Sequence, residues 1–245
     1  MDASTFIRDL IVQVAQIRET ANKSPELAHA VSAIKRFQAQ RFAGTYRDLL
    51  QKQPFDQAAR FFLDELYSEK NYARRDDQFA RIASALERLF PKPVVQTAKS
   101  LAKLHLLTET LDLAMAEHWR ADPEKNDVAR YVSAWRAVGL RDQRNTQLFQ
   151  VLTLGRELDQ LTSTPGLRLM LKMMRGPANL AGLGDLQRFL EAGFDTFAAM
   201  GRQTGATTYF LDTVAARETH TFELLFDADL VACETQLNQT SSAPR

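Results

Sequence analysis

Residues 94–119 read VVQTAKSLAKLHLLTETLDLAMAEHW, and the spacing inside this stretch decides the fold. Leu101, Leu104, Leu107, Leu111, Met115 and Trp119 recur at intervals of three and four, the repeat of one helix face and not the alternation of a strand. The spacing predicts one long helix from about Val94 to Trp119 with a leucine seam against its neighbours. His105, Glu109 and Asp112 fall together on another side of that helix, at spacings of four and three.

The same period extends in both directions. Towards the N-terminus, Pro91-Lys92-Pro93 interrupts it, because proline lacks an amide donor and restricts the residue before it. Before that break, Phe79, Ile82, Ala83, Leu86 and Leu89 mark a helix starting near Asp76, and Ala59, Phe62 and Leu66 mark another opening at Asp56. Ser24-Pro25-Glu26 reads as N-cap, first helical residue and first-turn acid of a helix carrying Leu27, Val31, Ile34 and Phe37, with Gly44 as its weak point. A first helix runs from about Thr5 to Ala21.

Towards the C-terminus, Asp122-Pro123-Glu124 repeats the cap signature ahead of Val128, Tyr131, Trp135 and Val138, and Gly139 closes that helix. Leu148, Leu152, Leu158 and Leu161 mark the next one. Asp185 caps a helix bearing Leu186, Phe189, Leu190, Phe194 and Phe197, and Gly193 on the same face permits close approach of a neighbour. The last strong helix covers about Thr207 to Phe226. The expectation is an all-α, multi-helix bundle of about eight to ten helices spanning 1–235, with a polar flexible tail at 236–245. The break at 91–93 is either a hinge between two packed helical subdomains or a tight interhelical turn.

Composition agrees with a packed helical protein. Of 245 residues, 45% are hydrophobic, and only 10 are Gly and 8 Pro, so few positions oppose helix. Lys and Arg total 31 against 30 Asp and Glu, which gives no global electrostatic footprint for nucleic acid. Cys233 is the single cysteine, so an intrachain disulfide and a thiolate metal cluster are both excluded. The start Met1-Asp2-Ala3-Ser4 lacks a basic segment followed by an apolar one, and no apolar run approaches the ~20 residues of a membrane span. The expected location is the cytoplasm, with no membrane span.

Several constellations invite chemistry. Glu26-Leu27-Ala28-His29 has the Glu-x-x-His spacing of a helix-bundle metal site, but His105, His118 and His220 are preceded three positions back by Ala102, Met115 and Arg217. Without the second motif, no metal and no cofactor are expected. His105, Glu109 and Asp112 either handle a proton or ligand, or form a solvated face beside the seam. Glu218 shares a helix stripe with Leu211, Val214, Phe222 and Leu225, where a carboxylate must be paired, hydrogen-bonded or protonated. It is either a structural ion-pair member or a ligand-binding acid. The polar junction from Tyr67 to Asp77, with Arg74, Arg75 and Asp76, reads as a partner surface or as a capped, salt-bridged interhelical connection. Leu167 to Arg175 is apolar at 167, 170, 171 and 174 and basic between, as expected of a surface helix with its Met face inward. Gly182-Leu183-Gly184 has no strand before it and no Lys after it, so a phosphate loop is rejected.

Phe61-Phe62-Leu63-Asp64-Glu65-Leu66-Tyr67, then Arg74-Arg75-Asp76, Leu106 to Asp112 and Phe189 to Phe194 resemble a bacterial all-helical family, a domain of unknown function. In that pattern a Phe-Phe-Leu, acidic pair, Leu, Tyr, Gly stretch leads to an Asp-Phe and an Arg-Asp. Here Ser68 stands for the glycine and Asn71-Tyr72 for the Asp-Phe. The resemblance implies an all-helical protein and no catalytic residues.

Two functions follow from the sequence. The first is a non-enzymatic helical protein acting through protein–protein interaction or self-association, motivated by good seams and no convergent polar site, with Tyr67 to Asp77 as its surface. The second is an enzyme or small-ligand-binding protein with an interhelical pocket that uses Glu218, together with His105 or His220.

Overall fold

The computed structural model describes residues 2–65, 70, 72–121 and 126–241. Among these residues the chain is helical throughout, with no strand. The elements are α1 (Ala3–Ala21), α2 (Pro25–Thr45), α3 (Arg47–Leu50), α4 (Asp56–Glu65), α5 (Ala73–Leu89), α6 (Lys92–Trp119) and α7 (Asp127–Val138). They are followed by α8 (Arg141–Thr162), α9 (Leu167–Met173), α10 (Arg175–Leu180), α11 (Gly184–Met200), α12 (Ala206–Asp227) and α13 (Leu230–Ser241). Eight to ten is therefore an undercount. The difference lies in α3 and α10, of 4 and 6 residues, too short to display a periodic stripe, and in α13.

Local chemistry sets the boundaries. The Ser24 hydroxyl accepts the Leu27 amide at 3.1 Å and Pro25 occupies the first turn of α2, as the sequence implies. Gly139, with φ of 64°, and Leu140, with φ of 51°, take left-handed conformations that separate α7 from α8. The start of α11 has no cap from its own segment. The Leu186 amide is satisfied instead by Gln78 Oε1 at 2.8 Å, a side chain of α5 that is 1% exposed. The proposed cap at 122–124 lies outside the described residues, and Asn126 caps α7.

α6 is the central element. α1, α2, α7 and α8 all pack along it, so its polar side is enclosed as well as its leucine seam. Leu104, Leu111, Met115 and Trp119 are buried, and so are Glu109 and Asp112 on the other side. α1 lies along both α5 and α6, and Pro91 caps α6 at the turn between them. The apolar core divides into clusters, one around Phe37, Trp119, Tyr131 and Trp135, one around Phe42, Tyr46, Phe62 and Phe210, and one around Ile7, Phe79, Leu86 and Leu186.

Two glycines mark close helix approaches. A Cβ on Gly193 would stand 3.2 Å from the Phe61 ring, so α11 and α4 meet where the side chain is missing. A Cβ on Gly44 would overlap the Thr240 carbonyl, so the residue that reads as a weak point of α2 is where α13 crosses it. Helix α13 thus occupies most of the stretch that reads as a polar tail, and Leu237 within it is buried. Leu89, assigned to the inward stripe of α5, is 65% exposed, and Phe90 after it packs against the core instead. No described helix is long and apolar enough to cross a membrane.

Candidate functional site

Helical spacing on several elements aims polar side chains at one interior chamber. From α2 come Lys35, Gln38 and Arg41, three residues apart, and from α6 His105, Thr108, Glu109 and Asp112. Helix α7 adds Tyr131 and Trp135, α8 adds Arg144 and Gln147, and α12 adds Glu218. Helix α5 closes it with Arg75 and Asp76. The cavity has a volume of about 100 Å³. Its apolar walls belong to three different clusters: Trp135 and Phe222, then Val214, then Phe79 and Leu186.

Glu218 is buried, and it is paired as its place on an apolar stripe requires. Arg41 donates to it through both terminal nitrogens, at 3.0 and 2.9 Å, and Tyr46 donates its hydroxyl at 2.9 Å. The side chains are 6% and 4% exposed, so this is a two-pronged ion pair inside the protein.

The other acids of the chamber also have partners. Glu109 accepts from Lys35 Nζ at 2.8 Å and from Arg18 Nη2 at 3.4 Å. Asp76 Oδ2 lies 2.6 Å from Arg18 Nη1 and 2.8 Å from His105 Nε2. His105 Nε2 also lies 3.2 Å from Arg18 Nη2, but a carboxylate can only accept, so the shorter contact assigns the Nε2 proton towards Asp76. Asp112 accepts from Gln38 Nε2 at 3.0 Å. Arg144 lies over the Trp135 ring at 4.1 Å and donates to Gln147 at 3.3 Å.

These surroundings separate the acids electrostatically. Burial pushes Asp76 up, but the hydrogen bond and charge of His105, with Arg18 and Arg75, outweigh it and hold the carboxyl below its ordinary value. Glu109 is likewise raised by burial and lowered on balance by Lys35, Arg18 and His105. Asp112 is different: burial pushes its carboxyl up and Glu109 adds to that, beyond what Lys35, Arg144 and Gln38 return. The Tyr131 hydroxyl is raised by burial too. One buried carboxyl pushed above its ordinary value therefore lies beside two held below theirs. The Trp135 indole N–H is buried with no acceptor among the described residues.

The expectation that no polar site converges is overturned by this network. On one helix His105, Glu109 and Asp112 look like a solvated face, whereas α1, α2 and α8 cover them. The junction at Tyr67 to Asp77 divides: Tyr67 lies outside the described residues and Arg74 is exposed and paired with Asp185 at 2.9 Å. Arg75 stacks on Tyr72 and Phe189 and bonds Glu65, and Asp76 is buried, so these two face inward. His220 lies away from the chamber, beside Gln236 of α13. Arg41, Gln38, Lys35, Tyr131, Trp135 and Arg144 escape the sequence reading. A signal existed for Arg41: it follows Ile34 and Phe37 on the apolar stripe of α2, the same anomaly that marks Glu218.

No group of three His, Cys, Asp or Glu side chains among the described residues is placed to hold a metal ion. A family described as a domain of unknown function, DUF8198, matches residues 17–231, and the chain belongs to that family. The match covers every helix whose side chains line the chamber. No curated protein and no solved structure matches the chain.

Proposed function

We propose that this domain binds a small anionic molecule in the interhelical chamber. The observation that carries the reading is two buried donors that meet there: the guanidinium of Arg144 laid on Trp135 and the unaccepted Trp135 N–H. Among the described residues at and around the chamber, Arg18, Lys35, Arg41, Arg75 and Arg144 are cationic. Against them stand the carboxyls of Glu65, Asp76, Glu109, Asp112 and Glu218, with His105 beside Asp76. An acceptor-rich anion can take hydrogen bonds from the Arg144 guanidinium and the Trp135 N–H, and desolvation strengthens each one. Glu218 positions Arg41 in this arrangement, and His105 positions Asp76.

Trp135 supplies the reporter. Titration with acetate, benzoate or phosphate should give a saturable change in tryptophan emission for at least one of them, and Arg144→Met should weaken it about tenfold or more. A wild-type protein that shows neither an emission change nor a raised melting temperature with any of the three sinks the reading.

A second reading, self-association, is favoured by the surface of α9 and α10. Leu169, Met173 and Leu180 are 64%, 70% and 92% exposed there, while Leu167 and Leu171 point inward. Sedimentation of wild type against Leu180→Asp tests it, and a monomer in both cases rejects it.

A further inference from the structure

A second cavity of about 120 Å³ adjoins the polar chamber and lacks its charged lining. The two share Phe79, Leu101, Val151, Leu186 and Phe189 as lining residues, so they lie side by side between α5, α6, α8 and α11. In the second cavity Thr97 is the only polar side chain among the described lining residues, and leucines and phenylalanines make up most of the rest.

Water needs two to four polar partners to settle in a cavity, and an apolar space of roughly 150 Å³ stays dry and takes up a hydrocarbon instead. Protein cores are otherwise packed with few voids larger than a water molecule. A space this size, lined almost wholly by hydrocarbon and abutting a charged chamber, matches an occupant with an apolar portion.

We propose that the ligand is amphipathic: a carboxylate head in the polar chamber and a straight hydrocarbon tail running past Phe79 and Leu101 into the apolar cavity. This inference rests on the anion-binding reading above. The head takes hydrogen bonds from Arg144 and the Trp135 N–H, and the tail displaces empty space between α6, α8 and α11. The tail adds affinity in proportion to the methylene groups it buries, until the cavity is full.

The test uses the full chain and straight-chain carboxylates from acetate to dodecanoate, with octanol as the uncharged control, read by calorimetry and by Trp135 emission. Affinity should rise about fourfold for each methylene that enters and then level off. Ala98→Leu, which fills part of the apolar cavity, should move the plateau to a shorter chain and leave acetate binding unchanged. Arg144→Met should weaken every carboxylate and leave octanol unaffected. Circular dichroism and melting confirm folding, and Leu158→Phe replaces Ala98→Leu if that variant does not fold. Acetate and octanoate binding within about twofold of each other overturns the tail while sparing the head site. Binding of neither, with octanol also silent, overturns both.

Discussion

The two adjoining cavities show how differently a helical protein can build neighbouring spaces. The apolar one is enclosed by residues that any amphipathic reading assigns to the core, such as Leu86, Leu101, Phe189 and Phe194. The polar one is enclosed by residues that the same reading assigns to water, such as Lys35, Glu109 and Arg144. What separates them is pairing. Each acid of the polar chamber has a bonded donor from another helix, so the charges are affordable inside, whereas the apolar cavity asks nothing of its neighbours beyond shape.

The sharpest break is Arg41→Met. It strands the Glu218 carboxylate in the interior, and urea unfolding should show a loss of about 3–5 kcal/mol. Replacing both partners, Arg41→Met with Glu218→Leu, should recover most of that loss, because the cost lies in the unpaired charge and not in missing packing. A double variant as unstable as the single one would refute this account of the pair.

Next in size is Leu86→Ala on the apolar side, where the side chain is 3% exposed and lines the cavity. It should cost about 2–4 kcal/mol, with little dependence on pH or salt. A loss that varies strongly with pH would mean that the two cavities are not chemically separate.

Asp112→Asn sharpens the comparison through pH. Burial raises this carboxyl above the ordinary aspartate value of 3.8, so the folded state holds the proton more tightly than the unfolded one. Its contribution is present below that value and is lost as pH rises through the raised one. The variant, which cannot ionise, should gain stability relative to wild type as pH rises above 3.8 and show no trend below it. Asp76 and Glu109 carry the opposite sign, being lowered, and their contributions disappear as pH falls through their depressed values. Urea midpoints measured from about pH 3 to pH 7 separate the two behaviours.

The smallest effect belongs outside both cavities. Leu180→Ser, at a residue 92% exposed, should change stability by less than about 0.5 kcal/mol. A larger loss would show that the α10 surface is covered in solution.

Much of the candidate site could be placed from the sequence and little of it assembled. Glu218 stands out because a charge on an apolar stripe is a local anomaly, visible within one helix. Arg41 carries the same mark on α2, and reading the two together would have paired them. His105, Glu109 and Asp112 carry no such mark, since a polar face opposite a leucine seam is ordinary on any helix that has water on one side. Only the helices packed on that side show that this one has none. Trp135 reads as core, and its role as a platform for Arg144 depends on where the turn at Gly139 and Leu140 sends the first turn of α8.

The all-helical class, the seam of α6, the cap at Ser24 and the close approach at Gly193 are properties of short segments, and local spacing was enough to determine them. Which faces are enclosed, which acid meets which base, and the presence of two cavities side by side were decided by how the helices pack. The physical reason is range: helical periodicity acts over a few residues, whereas Arg41 and Glu218 are 177 positions apart and acquire their chemistry by meeting away from water.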